Sequence, residues 1–194
     1  MERRLILTGP SGCGKSSMIC SALGRHAAEA GGFLTRLSAG EDGSLLGLEL
    51  LPAAALGGVE GLSPRRVLDF SCTPPHADTE AYRETGVSLL NDAVWYPFAL
   101  LDEFGGFELI IPQFREALWR FLSSDTPCVG VLKDVQEAEL LRSWLGLGEK
   151  LSTFYAQLRQ HLTQDPETLL LSVEEPGDER AQHALSQWVS EYLE

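Results

Sequence analysis

The sequence has no long apolar run, and this absence excludes an integral membrane protein. No stretch of its 194 residues approaches the ~20 consecutive apolar residues that a membrane-spanning helix needs. The apolar segment after the first four residues is itself only four residues long, which is too short for the hydrophobic region of a secretory signal. We therefore expect a cytoplasmic protein without a membrane partner.

Lysine is scarce as well, and acidic residues dominate the charged set. The chain has 15 Lys and Arg against 28 Asp and Glu, which gives a formal net charge of −13, and only three of the basic residues are lysines. Such a surface repels polyphosphate backbones, so we expect no nucleic-acid partner. One of the three lysines, Lys15, nevertheless lies in a glycine-rich loop, which makes its position informative.

Cysteine is present but never in a Cys-x-x-Cys pair. The four cysteines are widely separated in the chain, at Cys13, Cys20, Cys72 and Cys128. In a protein expected to lie in the cytoplasm they are expected to be reduced thiols, so the sequence predicts neither a disulfide framework nor a zinc site.

The length and the apolar fraction of 44% suit one globular domain, which we expect to span residues 1–194. Short apolar strands alternate with helical patterns along the chain. The predicted strands cover residues 5–8, 33–37, 45–51, 98–101, 128–132 and 168–173, and the predicted helices cover 15–30, 78–93, 112–122, 135–145, 150–162 and 181–193. This alternation predicts an α/β fold with a mostly parallel sheet flanked by helices.

One region interrupts the alternation. The strands at 33–37 and 45–51 are joined by the turn residues of 40–43 and predict an inserted β-hairpin. Residues 52–77 are rich in alanine, glycine and proline and contain a possible strand at 67–70. We expect residues 52–95 to form a loop-rich segment that covers the face of the sheet.

The strongest motif is a phosphate-binding loop. Residues 9–16 read Gly-Pro-Ser-Gly-Cys-Gly-Lys-Ser and match G-x-x-x-x-G-K-[ST] between a predicted strand and a predicted helix. Glycines let such a loop turn its N–H groups toward phosphate oxygens, and the helix adds its positive end. Lys15 can reach the β- and γ-phosphates, and the Ser16 hydroxyl can ligate Mg²⁺. The predicted nucleotide-binding residues are Gly9, Pro10, Ser11, Gly12, Cys13, Gly14, Lys15, Ser16 and Ser17.

A phosphate loop of this kind needs a carboxylate on a neighbouring strand, and residues 98–103 supply one. The four apolar residues Phe98–Leu101 are followed by Asp102 and Glu103 at the carboxyl end of a predicted buried strand. Asp102 is the predicted metal-side residue, acting on Mg²⁺ directly or through water. Glu103 is the predicted group that orients and deprotonates the attacking water.

With these motifs, the chain resembles the cancer-related nucleoside-triphosphatase family, first known from thermophiles. The resemblance is carried by Gly9–Ser16, by Gly32–Thr35 with Leu46–Leu50, by Leu100–Gly105, and by Glu108-Leu109 leading to Phe114–Ala117. It implies a compact RecA-like core and slow, Mg²⁺-dependent hydrolysis of ATP, GTP and other nucleoside triphosphates. In the position of the family's base-contacting stretch, after the last strand, Arg180 is the residue that would stack on the base.

Weaker signals concern other cationic residues. Arg65, Arg66 or Arg83 is a candidate arginine finger, although arginines on polar loops are usually only solvated. Lys133 follows a predicted strand, and two interpretations stay open for it. A surface lysine paired with Asp134 is the favoured one, and contact with the γ-phosphate is the alternative.

Three functions fit the sequence. The first is a Mg²⁺-dependent nucleoside triphosphatase with Lys15 and Glu103 as its catalytic residues. The second is a small-molecule or nucleotide kinase in which residues 52–95 hold the acceptor. The third is a nucleotide-gated regulatory module with slow hydrolysis, whose protein partner the sequence does not specify.

Overall fold

The computed structural model describes residues 2–194 and contains one eight-stranded sheet. The strands are β1 (Arg4–Thr8), β2 (Ala30–Ala39), β3 (Leu45–Pro52), β4 (Arg65–Asp69), β5 (His76–Ala77), β6 (Phe98–Phe104), β7 (Cys128–Leu132) and β8 (Thr168–Ser172). Their order in the sheet is β5-β4-β3-β2-β6-β7-β1-β8. Strands β2, β6, β7, β1 and β8 are parallel, whereas β3, β4 and β5 add antiparallel pairings at one edge.

Helices cover both faces of the parallel strands. The α-helices are α1 (Lys15–Leu23), α2 (Thr79–Ala81), α3 (Val87–Ala93), α4 (Pro112–Leu122), α5 (Val135–Trp144), α6 (Lys150–Gln164) and α7 (Glu179–Tyr192). Alternate residues of β1 show the two faces: Leu5 and Leu7 pack with α1 and α7, whereas Ile6 packs with α4 and α6. Because both faces are apolar, the strands read as continuous hydrophobic runs. The predicted α/β class with a mostly parallel sheet is confirmed.

The segment after the hairpin differs from the prediction. The β2–β3 hairpin forms as expected, but residues 65–77 do not lie over the sheet face. They form β4, where a strand over residues 67–70 was predicted, and β5. Strand β4 pairs antiparallel with β3 and β5 pairs antiparallel with β4, so both extend the sheet at its edge. The buried side chains of Val67 and Leu68 join the core on the α4 side. The apolar residues of this short segment therefore lie in edge strands, and the two prolines between β4 and β5 obscured this role in the sequence.

The predicted helix over residues 15–30 was too long, and Gly31 and Gly32, which as a glycine pair directly after it are the expected stop signal, do not end it. Helix α1 ends at Leu23, a 3₁₀ turn covers Gly24–Glu29, and β2 already begins at Ala30. Gly31 and Gly32 therefore lie inside a strand rather than ending a helix. At Gly32, which has a φ of 85°, a Cβ atom would lie 2.4 Å from the carbonyl oxygen of Leu100. Close approach of β2 to β6 explains this glycine.

The predicted helix over residues 78–93 is present in three connected parts. Asp78 caps its start by accepting a hydrogen bond from the N–H of Ala81. A π-helical turn at Tyr82–Gly86 joins α2 to α3 and places the Tyr82 ring in the core. Across residues 2–194, no helix is both long enough and apolar enough to cross a membrane.

Candidate nucleotide-binding site

The glycine-rich loop joins β1 to α1 at the carboxyl edge of the parallel strands. Its three glycines, Gly9, Gly12 and Gly14, have φ values of 138°, 79° and 83°, which residues with side chains rarely adopt. At Gly9, a Cβ atom would lie 1.9 Å from the carbonyl oxygen of Val173. Helix α1 begins without a side-chain cap, so its first N–H groups are available to an anion.

Lys15 lies across this loop with only 4% of its surface exposed. Its ammonium donates hydrogen bonds to the carbonyl oxygens of Gly9 and Pro10, at 2.7 and 2.8 Å, and lies 3.6 Å from Cys13 Sγ. All three acceptors belong to the loop itself. The ammonium is thus held within the loop by neutral acceptors, and an anion would be a stronger acceptor that could replace them.

Ser16 and Asp102 meet beside the loop. The Ser16 hydroxyl donates a 2.8 Å hydrogen bond to Asp102 Oδ1, and the N–H of Thr35 makes a longer contact of 3.5 Å with Oδ2. Burial raises the pKa of Asp102 from 3.8 to about 6, while the Ser16 hydrogen bond acts to lower it. The site therefore contains a buried carboxylate whose negative charge is only partly balanced by its hydrogen bonds. Such a carboxylate beside a hydroxyl is suited to bind a cation.

Glu103 lies in a β-bulge that turns its side chain toward the loop. The pairing of β6 with β7 shifts register between Leu101 and Phe104, so Asp102 and Glu103 leave the regular ladder. Glu103 has a φ of 59° and is the only non-glycine residue with positive φ in residues 2–194. Such a conformation costs on the order of 1 kcal/mol and is typical of functional sites.

One cavity joins the loop to this carboxylate. Its volume is about 280 Å³, and its lining consists of Ser11, Gly12, Gly14, Lys15, Ser16, Ser17 and Glu103. Of the predicted site, the cavity therefore brings six loop residues together with Glu103, and Asp102 is bonded to Ser16 at its side. Gly9, Pro10 and Cys13 do not line this cavity.

A larger groove continues from this cavity between α1 and α7. It has a volume of about 670 Å³, and Gly14 and Ser17 line both spaces. Other residues of its wall are mainly small, apolar or hydroxyl-bearing: Met18, Ser21, Ala22, Pro176, Gly177, Leu185, Ser186, Val189 and Ser190, with Gln182 and Glu194. The groove is open, partly apolar and large enough for a nucleoside.

Arg180 lies near this groove but does not line it. Its guanidinium forms a 2.9 Å ion pair with Asp178, and 70% of its side chain is exposed. The three arginine-finger candidates are likewise paired with carboxylates, Arg65 with Glu84, Arg66 with Glu49 and Arg83 with Glu80. The structure does not bring these three into the cavity at the loop.

Lys133 is placed differently from the favoured prediction. It is not a surface lysine paired with Asp134, because only 8% of it is exposed and its ammonium lies 2.9 Å from Glu103 Oε2. Asp134 instead caps α5 by accepting a hydrogen bond from the N–H of Gln136. Sequence reasoning missed this pairing because Glu103 lies in β6 and Lys133 directly follows β7, 30 positions further along the chain.

Glu108 is the second residue whose role the sequence did not reveal. Its carboxylate is 2% exposed and accepts hydrogen bonds from the N–H groups of Gly105 and Gly106, at 2.6 and 2.7 Å. Burial raises the pKa of Glu108, whereas Lys133 and these N–H groups act to lower it. The available signal was an acid inside the apolar run 107–111, where a buried charge demands partners.

The arrangement of the glycine-rich loop, α1 and Asp102 defines a class of protein. A buried strand leads through a glycine-rich loop into a helix, and a parallel strand of the same sheet, separated from the first by β7, brings a carboxylate to the helix's first hydroxyl, as in P-loop nucleoside triphosphatases. A family model described as NTPase matches residues 4–165. The chain belongs to this family of nucleoside triphosphatases.

Two known proteins are similar to the chain. A nucleoside-triphosphatase THEP1 of Thermotoga sp. (strain RQ2) is 29% identical over 133 residues, which are 67% of this chain and 74% of that protein. The crystal structure of THEP1 from the hyperthermophile Aquifex aeolicus matches with a TM-score of 0.61 and 15% identity, covering 98% of this chain and 99% of that one. At this identity the second match shows a shared fold.

Proposed function

We propose that the protein is a cytoplasmic, Mg²⁺-dependent nucleoside triphosphatase that converts ATP, GTP and related nucleotides to the diphosphate and phosphate. The observation that carries this proposal is the single cavity that Lys15, Ser16 and Glu103 line together, with Asp102 bonded to Ser16. These groups supply phosphate binding, metal binding and a base for water within one space.

The phosphates would lie on the loop and on the start of α1. Lys15 now donates to two neutral carbonyl oxygens, and phosphate oxygens are stronger acceptors for an ammonium. We infer that, when a nucleotide binds, the ammonium exchanges these hydrogen bonds for hydrogen bonds to the β- and γ-phosphates. The uncapped N–H groups of α1 would face the same phosphates.

The donor set fits a magnesium ion. Ser16 Oγ and Asp102 Oδ1 are oxygen ligands already 2.8 Å apart, and burial of Asp102 leaves its charge under-compensated. Mg²⁺ takes one or two protein ligands and completes its shell with phosphates and water, so these two oxygens are enough to hold it beside a bound nucleotide. Bound there, the ion would neutralise charge that develops on the phosphate oxygens.

Glu103 would act on the water. Its carboxylate borders the phosphate cavity, and the bulge fixes its direction. A carboxylate so placed can accept a proton from a water in line with the γ-phosphate and hold that water in position. Hydrolysis needs little more than this positioning together with charge neutralisation.

The nucleoside would occupy the groove between α1 and α7. Its wall offers hydroxyls, one amide and apolar surface, and the charged residue described in it, Glu194, lies beyond the end of α7. Such a wall favours broad base tolerance over strict selection. We propose that Arg180 stacks on the base, for which its exposed ion pair with Asp178 must open.

The test measures phosphate release from ATP, GTP, CTP and UTP with Mg²⁺ and without any acceptor. We expect release from all four nucleotides, and a loss of at least ~100-fold in Lys15→Ala and in Glu103→Gln. Lys150→Ala and Glu116→Gln change exposed residues of the same types and serve as matched controls. Turnover that appears only with an added acceptor would instead identify a kinase.

A further inference from the structure

Lys133 follows β7, and its backbone is fixed at two points. Its N–H donates a 2.8 Å hydrogen bond to the carbonyl oxygen of Phe104, and its own carbonyl accepts a 2.7 Å hydrogen bond from the Tyr155 hydroxyl. The first bond ties Lys133 to the residue immediately after Glu103. The lysine is therefore held in a defined position relative to the bulge.

The Lys133 side chain then passes over Gly106 to reach Glu103. A Cβ atom at Gly106 would lie 3.0 Å from Glu108 Oε2, 3.1 Å from Lys133 Cε and 3.3 Å from Lys133 Cδ. Gly106 has a φ of −104° and a ψ of −146°, and this ψ lies outside the ranges that residues with side chains commonly adopt. Glycine therefore suits the backbone here and also leaves room for the Glu108 carboxylate and for the lysine stem.

Three carboxylates surround the buried ammonium, those of Glu103, Glu108 and Glu137. Burial acts to lower the pKa of Lys133, but these carboxylates outweigh it and raise that pKa above its usual value. Glu108 is committed to the two glycine N–H groups, and the direct ion pair goes to Glu103. The ammonium is thus a permanent charge aimed at one carboxylate oxygen.

Lys133 contacts Glu103 from outside the cavity at the glycine-rich loop. Glu103 lines the cavity at the loop, whereas Lys133 is not part of that lining. The ion pair engages Glu103 Oε2 and leaves Oε1 outside the pair. Lys133 is therefore placed to contact Glu103, and this differs from the alternative in which Lys133 contacts the γ-phosphate.

We propose that Lys133 is a positioning residue for catalysis, which holds Glu103 Oε2 so that Oε1 faces the water at the γ-phosphate. The inference rests on the proposed function, because it assumes that Glu103 acts on that water. Lys133 acts on the reaction through Glu103 and makes no contact with the nucleotide. Its removal should lower turnover and leave nucleotide affinity nearly unchanged.

The experiment combines kcat, nucleotide affinity and a double-mutant cycle. Lys133→Met should lower kcat by at least ~10-fold and change the Kd of a fluorescent ATP analogue by less than about 2-fold. In a Glu103→Gln background, measured by single turnover, the same substitution should change the residual rate by less than about 2-fold. Lys133→Arg, which keeps a charged donor, should recover part of the lost kcat.

Gly106→Ala provides a second route if Lys133→Met does not fold. The added Cβ would displace the lysine stem while keeping every charge, so kcat should fall by about 3- to 10-fold with Kd unchanged. Because this Cβ also meets Glu108 Oε2, Glu108→Gln is measured beside it to show how much of the loss comes from Glu108. Wild-type kcat in both Gly106→Ala and Lys133→Met would overturn the proposal. A loss mainly in Kd, or a Lys133→Met loss that persists in full without the Glu103 carboxylate, would also overturn it. Full activity of Glu103→Gln would instead overturn the proposed function.

Discussion

Ser16 and Asp102 are 86 positions apart in the chain, yet the Ser16 hydroxyl donates a 2.8 Å hydrogen bond to Asp102 Oδ1. Ser16 is the second residue of α1, and Asp102 lies in β6. Their contact exists because β1 and β6 are parallel strands separated only by β7, so their carboxyl ends open on the same edge of the sheet. The pair places the proposed metal ligands within one hydrogen bond of each other.

The first prediction concerns the buried charge of Asp102. Because burial raises its pKa to about 6, the folded protein binds a proton more tightly than the unfolded chain. Its ionised form therefore costs stability above pH 6, and this cost is relieved as the pH falls from 6 toward 4. Without Mg²⁺ and nucleotide, Asp102→Asn should be more stable than wild type at pH 7.5 by about 1–3 kcal/mol.

Urea unfolding at pH 7.5 and pH 5 measures this difference. The advantage of Asp102→Asn should shrink at pH 5, and the variant should lose hydrolysis at both values. An advantage that is equal at the two pH values would show that the Asp102 charge is not its source.

The second prediction concerns the close approach of Gly9 to β8. In Gly9→Ala the new Cβ would meet the Val173 carbonyl oxygen at 1.9 Å, and the φ of 138° is unfavourable for alanine. We expect a loss of at least ~3 kcal/mol in unfolding free energy, or a displaced loop that no longer binds nucleotide. Gly58→Ala is the control, because Gly58 also has a positive φ but faces open space, and it should cost only about 1 kcal/mol.

The third prediction concerns Glu108. Glu108→Ala leaves the buried N–H groups of Gly105 and Gly106 without an acceptor and should cost about 2–4 kcal/mol in stability. Both bonds go to Oε1, so Glu108→Gln can keep them and should recover most of the loss. Chemical denaturation of the two variants measures this, with the exposed Glu116→Ala expected within about 0.5 kcal/mol of wild type. Equal stability of Glu108→Ala and Glu116→Ala would remove this role.

The fourth prediction concerns the groove between α1 and α7. Ser21→Phe should fill the groove and weaken ATP binding by at least ~10-fold. Inorganic tripolyphosphate, which needs only the loop, should bind the variant as tightly as it binds the wild type. Ser88→Phe, an exposed serine outside the groove, is its control. If both variants bind ATP normally, the nucleoside lies elsewhere.

The fifth prediction tests Arg180 with the same titrations. Stacking of an exposed guanidinium on a base is worth about 0.5–1 kcal/mol, so Arg180→Ala should weaken nucleotide binding by about 2- to 5-fold. Tripolyphosphate binding should not change. Unaltered affinity for all four nucleotides would exclude the stacking role.

Much of the fold could be predicted because its signals are local. The apolar runs of β1, β6 and β7 and the helical periodicity of α4 and α6 each lie within one segment, and the structure has them close to the predicted bounds. The edge strands β4 and β5 were harder, since proline and glycine mask short strands whose pairing depends on a distant partner. The predicted length of the first helix was wrong for a similar reason, because Gly32 allows the close approach of β6 and Gly31 that of Ala93 and Tyr96, and both contacts lie far along the chain.

The sequence by itself determined the glycine-rich loop, the carboxylates at the end of β6 and the class of chemistry, because each of these is written in contiguous residues. Only the tertiary structure decided that Lys133 faces Glu103 and that Glu108 holds the Gly105–Gly106 turn. The first contact joins the ends of two strands that are neighbours in the sheet and 30 residues apart in the chain, and the second depends on a buried turn. Strand order, bulge geometry and burial set such contacts, and no local pattern encodes them.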